Sequence, residues 1–402
     1  MKLRLKSAVG GRLMAFAFAL GLLVAGAETP RAQAQTFSVI HNFTGGSDGG
    51  NPLAGFAIDG AGNFYGTTSA GGASGEGTVF KVTAKGKETV LYTFTGGADG
   101  ANPEAGLFVN ATNGNLYGTT NAGGAYGAGT VFGVTAKGKE TILYSFTGKT
   151  DGANPQAALV MDAKGNLYGT TFAGGIYGNG TVFKLGKKGG KWTEQALFSF
   201  SQDATGKLPL AGVTLDADGN LYGTTSAGGT YTNGNIFELK RSKSGWTEII
   251  LHNFENASDG AVPYGGLIFD QSGNLYGAAT EGGTGGGGTI FELTPSNDSW
   301  TFTVLYSLPG WGVSGTYRNL LLDASGNIYA TTHCDGDYNA GTIYELTQSG
   351  GTWTYTSLYV FTGGSDGQFS YSNLVFDKLG NLYGTTKQGG ADGNGVIFKV
   401  KP

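Results

Sequence analysis

The chain has 402 residues, 76 of them glycine, with charged residues at 13% and aromatic residues at 12%. That mixture holds too much Phe and Tyr for a flexible Gly-rich linker and lacks the triplet period of collagen, so a packed core is expected. With 25 Lys and Arg against 29 Asp and Glu, no basic excess can neutralise phosphates, and five scattered Trp form no stacking platform, which argues against nucleic acid.

Residues 1–34 read as an export signal. Lys2, Arg4, Lys6 and Arg12 form a basic start, Leu13 to Ala27 an apolar run, and Ala32-Gln33-Ala34 a small-x-small cleavage site. The run is shorter than the ~20 residues a spanning helix needs. Cleavage near Ala34 removes five basic residues and one acidic residue, leaving a mildly acidic chain. No Cys follows the run to take a lipid and Val400-Lys401-Pro402 is no apolar tail, so a secreted or cell-surface protein with no membrane span is expected. The single cysteine, Cys334, excludes an internal disulfide and leaves stability to packing.

Thr36 to Phe43 has the alternation and aromatic content of a strand. Downstream, the string Gly-Asn-(Leu/Phe/Ile)-Tyr recurs seven times, with its Asn at Asn63, Asn115, Asn166, Asn220, Asn274, Asn327 and Asn381. A period of about 53 residues marks a repeat architecture. Each unit holds four short runs rich in β-branched and aromatic residues, separated by glycine-bearing turns; in the second unit they are 106–110, 115–120, 130–135 and 141–146. No stretch has helical periodicity. The opening strand matches the fourth run of a unit, as in Thr247 to Phe254, whereas the chain ends at Phe398-Lys399-Val400, a third run. The last unit therefore lacks its outer strand and the N-terminus supplies it, which joins first and last units by sheet pairing. The sequence predicts an all-β fold, one seven-bladed β-propeller over residues 36–402 with four-stranded antiparallel blades.

In six of the seven units the turn between first and second strands reads Asp-x-x-Gly-Asn, as in Asp162 to Asn166, where Asp bonds backbone two residues on and Gly takes a positive φ. Unit four, with Asp216 and Asp218, mimics the start of a calcium loop, but no unit has the downstream Glu. A second Asp, followed by Gly except at 203, recurs between fourth and next first strands: Asp48, Asp99, Asp151, Asp203, Asp259 and Asp366. In a propeller this loop and the one between second and third strands share a face around the channel mouth. The carboxylates there either cap their own turns or form a cation-attracting ring, and capping is the expectation. His41 and His252 occupy the position of Tyr92, Tyr144 and Tyr306, and are read as packing substitutes. Cys334 has no partner cluster for zinc or for a thiol–His pair. The Gly-rich loops, such as 122–129, precede a strand and contain no Lys-Ser/Thr, unlike a phosphate loop. No cofactor and no metal are expected.

A site for one ligand should break the repeat, and blade six breaks it most. Its entry loop carries Trp311, Tyr317, Arg318 and Asn319; its second-to-third loop carries His333, Cys334, Asp335, Asp337 and Tyr338; blade seven adds Tyr371, Ser372 and Asn373. Blades one to five keep only small residues at the Arg318-Asn319 position, such as Ala105-Gly106. These side chains define a candidate ligand pocket, with an Arg318 to Asp335 or Asp337 ion pair as the structural alternative. Tyr126, Tyr177 and Tyr231 stand at loop positions matching Tyr338 and are candidate secondary contacts, since aromatic rings among small polar residues suit sugar faces or protein contacts.

The repeat also resembles a known family. Gly-Asn-Leu-Tyr-Gly-Thr-Thr, then Ala-Gly-Gly, then Gly-Thr-Val-Phe-Lys-Val, then Leu-Tyr-x-Phe-Thr-Gly-Gly-x-Asp-Gly-x-Asn-Pro is similar to the bacterial extracellular tandem repeat called Gloeo_Verruco or GloVer, over the whole chain after residue 34. The resemblance implies an exported bacterial repeat protein with no established activity. Function from the sequence is then a non-catalytic, monomeric binding propeller for an extracellular glycan or protein. Two alternatives stand beside it: a lyase or glycan-cleaving hydrolase using His333 with Asp335 or Asp337, and a structural surface protein.

Overall fold

The structure, a computed structural model, describes residues 36–402 except 84, 202–204, 298 and 311–314. The predicted leader, Asp203 and Trp311 lie outside the described residues. Seven four-stranded antiparallel sheets follow one another along the chain. Blade one is Ala57–Ile58, Phe64–Thr68, Thr78–Val82 and Glu88–Thr93; blade two is Phe108–Val109, Leu116–Thr120, Thr130–Val134 and Glu140–Ser145. Blade seven takes Val375–Phe376, Leu382–Thr386 and Val396–Lys401 from the C-terminus and Thr36–Asn42 from the start of the described chain. That last pair runs from Thr36 opposite Lys401 to Asn42 opposite Val396, with a bulge between Val39 and His41. The sequence and the structure agree on a seven-bladed β-propeller closed by its N-terminal strand.

The buried residues group into clusters at the junctions between blades, because both faces of a blade are apolar. At the junction of blades one and two, Tyr65, Val79 and Phe94 meet Leu107, Leu116, Phe132 and Val134. The Phe that ends each fourth strand stands edge-on to the third-strand Phe of the next blade. Six such pairs, among them Phe94–Phe132 and Phe43–Phe80, have ring centroids 5.1 to 5.5 Å apart. Each is worth about 0.5–1.5 kcal/mol beyond the area it buries. The glycine of the second strand makes room for the ring: a Cβ on Gly118 would lie 2.7 Å from Phe132 and 2.8 Å from Leu107. A threonine then latches across the junction. Thr67, Thr119, Thr170, Thr224, Thr331 and Thr385 each donate to a carbonyl three residues before the first strand of the next blade.

The junction of blades five and six departs on every count. Ala278 replaces the threonine and Leu308 the fourth-strand Phe. Tyr344 replaces the third-strand Phe opposite Ala330, where sister blades have Gly. Tyr344 is fully buried, its hydroxyl bonded to Thr316 at 2.8 Å.

A second junction position splits the ring in two. Phe37, Phe302 and Tyr355 pack there as aromatics, Phe302 stacked on His252 at 3.7 Å and Phe37 on Tyr359 at 3.8 Å. In blades one to four the same position holds Glu88, Glu140, Glu194 and Glu248, each with one carboxyl oxygen buried and unpartnered. Burial pushes the first three up to about 7 and Glu248 to about 8, with Asp48, Asp99 and Asp151 adding repulsion to the first three.

Two predictions follow from this packing. Phe43→Ala empties one junction and should cost about 3–5 kcal/mol in urea melts, while deleting residues 36–44 should lower Tm further by exposing the Val396–Lys401 edge. The glutamates set a pH dependence. Their folded pKa lies above the unfolded value, so the stability they contribute is complete below pH ~4.5 and lost as pH rises through 7–8. Tm should therefore fall between pH 5 and pH 8, and the quadruple Glu→Gln variant should flatten that slope in scanning calorimetry.

Candidate functional site

One face of the ring is built from two loops per blade, joined by a short antiparallel bridge, as at Gly50–Ala70 and Ala101–Ala122. The recurring aspartates of that face serve their own turns. Asp99 accepts from the Thr95 backbone N–H at 2.8 Å, the Thr95 hydroxyl at 2.6 Å and the Tyr92 hydroxyl at 3.0 Å. Asp151 and Asp366 repeat the set. Burial alone would raise Asp99 and Asp151, yet the bonds from Thr95 or Thr147 and from the tyrosine bring both below the usual value. These carboxylates cap their own turns. In blade four Thr205 caps the turn instead, bonding Ser201 N–H at 2.9 Å, so the fourth copy of the motif is not an Asp-Gly turn.

His252 fills the tyrosine position, with Nε2 2.9 Å from Asp259 and its ring edge-on to Phe254 at 5.1 Å. His41 does likewise with Asp48 at 3.5 Å. Burial lowers the pKa of both despite the adjacent Asp. They are packing residues, as the sequence indicated. Among the described residues no group of three or more His, Cys, Asp or Glu is placed to hold a metal.

The blade-six residues divide into three places. At the channel mouth Tyr317, His333 and Tyr371 form an aromatic cluster, with centroids 5.0 Å apart for Tyr317–His333, 5.1 Å for Tyr317–Tyr371 and 4.4 Å for His333–Tyr371. Tyr264 and Phe369 extend it, at 4.7 Å from Tyr317 and 5.0 Å from His333, and Lys387 Nζ lies 5.5 Å over the Tyr371 ring. The last three had no motif to mark them. Burial, followed by Lys387, pushes His333 down to about 4, so its ring is neutral at physiological pH.

Asp335 lies elsewhere. It accepts from the Thr332 hydroxyl and borders a lateral cavity of about 480 Å³ shared with Pro309, Cys334, Tyr355 and Ser357. Burial raises its pKa against bonds from Thr332 and Thr342. His333 Nδ1 does approach Cys334 Sγ, at 2.7 Å, a thiol–His contact the sequence reading missed because the two are neighbours in the chain. Burial and Asp335 raise the thiol while His333 is lowered, so both stay neutral and no thiolate–imidazolium pair forms. Asp337 and Tyr338 are exposed at the loop tip.

Arg318 reaches into the channel. Its Nε donates to the Tyr371 carbonyl at 3.1 Å and its Nη2 to the Leu53 carbonyl of blade one at 3.2 Å, so neither Asp335 nor Asp337 is its partner. Asn319 Oδ1 accepts from Gly266 N–H and Asn373 Oδ1 from Asn319 N–H. Ser372 is buried, its hydroxyl bonded to the Asn373 carbonyl at 2.7 Å.

On the rim, Tyr126, Tyr177, Tyr231 and Tyr338 are 66%, 60%, 48% and 61% exposed. With Ile176 they make up five of the seven exposed large hydrophobics among the described residues. The Tyr231 hydroxyl bonds Glu255, which raises its pKa.

Fold and site together define a seven-bladed propeller whose loop face carries its irregular, chemistry-bearing side chains. The chain belongs to the Gloeobacter/Verrucomicrobia repeat family, whose profile matches residues 29–215, 89–284 and 211–402. No curated protein matches it. Among solved structures it is similar to a candidate 6-phosphogluconolactonase of Bacteroides uniformis, with a TM-score of 0.54 and 15% identity over 81% of this chain and 88% of that one. A candidate gluconolactonase aligns with a TM-score of 0.43 and 17% identity over 74% of this chain and 87% of that one. At such identities the likeness concerns the fold alone.

Because the loop aspartates are saturated by their own turns, adding a chelator should leave Tm unchanged in calorimetry. A fall reversed by calcium would show instead that a cation binds the folded state.

Proposed function

We propose that this protein is a non-catalytic binding module that recognises an extracellular glycan through its loop face. The observation that carries the reading is the rim of exposed tyrosines at matching positions of blades two, three, four and six. A phenol ring left more than half exposed, as three of these are, contributes nothing to the core, while its flat face suits the C–H face of a sugar. Spacing the same ring around several blades suits a ligand that itself repeats. The mouth cluster of Tyr264, Tyr317, His333 and Tyr371 adds a further aromatic surface toward the channel.

The acid–base alternative has less support. A lyase or hydrolase working through His333 with Asp335 or Asp337 needs them to converge on one substrate. Asp335 instead bonds Thr332 beside the lateral cavity, and His333 packs among aromatic rings.

A glycan array probed with the purified protein tests the proposal. Tyr126→Ala, Tyr177→Ala and Tyr338→Ala should each weaken binding a few-fold to about tenfold, matching ~0.5–1.5 kcal/mol per ring, with unchanged Tm. Binding that is identical in wild type and the triple variant, or absent on every glycan, would remove the rim from consideration.

A further inference from the structure

The central channel holds a cation that makes no direct ion pair among the described residues. Arg318 borders a cavity of about 90 Å³ whose other walls are mainly small: Ala54, Gly106, Ala158 and Gly212 from four different blades, with Asn319 and Asn373 also in the lining. The Arg318 side chain is partly buried, lining the cavity while keeping some accessible surface. No salt bridge involves it; the two ion pairs among the described residues are those of His41 and His252. Burial lowers its pKa, with the field of Glu104 the leading opposing influence, yet a guanidinium stays charged at any physiological pH. Such a charge is costly when unpaired.

The hydrogen-bond pattern says which edge is open. Nε and one Nη2 hydrogen are spent on the carbonyls of Tyr371 and Leu53, which stretch the side chain across the channel and hold it. Neither bond uses Nη1, which is left for a ligand. Asn319 and Asn373 use their Oδ1 atoms as acceptors toward Gly266 N–H and Asn319 N–H, so each has its amide NH2 to donate. Arg318, Asn319 and Asn373 thus bring donors to the cavity, one of them charged, beside the hydroxyls of Thr214 and Tyr264. The sister blades place Ala or Gly at these positions, so the donor set is confined to blades six and seven.

We propose that the channel is a binding site for one small oxyanion, a carboxylate, sulfate or phosphate whose two-oxygen edge is held end-on by Arg318 and flanked by the amides of Asn319 and Asn373. The volume suits an anion of acetate to sulfate size, larger than a single water. Two parallel N–H···O bonds from a guanidinium are the geometry that such an edge matches best. Tyr264 lines the cavity and also packs on Tyr317 of the mouth cluster, so the site opens where the loop face narrows. This inference is independent of the rim tyrosines.

The test is calorimetric titration and thermal melting of the full chain with sodium acetate, sulfate and phosphate, against chloride at matched ionic strength. Wild type should show a saturable rise in Tm and measurable heat with at least one oxyanion, and the three arms identify which. Arg318→Met should lose the response while melting in anion-free buffer no lower than wild type, because it removes a partly buried charge that has no ion pair. Asn373→Asp keeps the acceptor for Asn319 N–H and places a carboxylate in the same cavity; it should raise the anion-free Tm and abolish the response. No response of wild type to any oxyanion, or an undiminished response in Asn373→Asp, overturns the proposal. An Arg318→Met protein that fails to fold in every buffer marks the arginine as a structural brace and overturns it too. The rim variants should bind the anion as wild type does.

Discussion

A blade of this propeller cannot bury its own faces. Its four strands form a sheet with apolar side chains on both sides, and each side finds cover only on a neighbour, so stability is a property of junctions. The edge-on contact of a fourth-strand Phe with the next blade's third-strand Phe repeats around the ring. An open array would leave two such faces and two strand edges bare. Pairing Thr36–Asn42 with Val396–Lys401 removes both exposures at once.

Once every junction is shared, a change on one side demands a change on the other. The junction of blades five and six shows this as a set: Ala278 without its latch, Leu308 for Phe, Tyr344 for Phe, and Ala330 for Gly, with Thr316 taking the Tyr344 hydroxyl. The buried hydroxyl of Tyr344 would be unpartnered without Thr316, which ties the unusual entry loop of blade six to its core. Irregularity there is therefore compensated packing, and it coincides with the blade that sends Arg318 into the channel.

The same distinction separates the two kinds of charged group on the loop face. The repeated Asp99, Asp151 and Asp366 are absorbed locally, each satisfied by residues four and seven positions back in its own loop and strand. The unrepeated Arg318 has no such local partner and is held by carbonyls of other blades. Repetition satisfies scaffold carboxylates within their own turns, whereas Arg318 depends on backbone from blades seven and one.

Asp-capped turns, the positive-φ glycines within them and the apolar alternation of strands are local interactions spanning a few residues, so the sequence alone determined the number of blades, their strands and the closure. It also singled out Arg318, because five sister blades keep a small residue there. It could not determine partners. Arg318 meets a carbonyl 265 residues away, and a carbonyl is present at every position and leaves no trace in the sequence. Tyr264 of blade five and Phe369 and Lys387 of blade seven join the mouth cluster with no motif to announce them. His333 and Asp335, two residues apart, were read as one site, and only the loop's path sends the first to the mouth and the second to the lateral cavity. Likewise Glu88 and its three equivalents look like ordinary outer-strand carboxylates until the ring closes around them, because burial at a junction depends on the neighbouring blade and not on the residue's own strand.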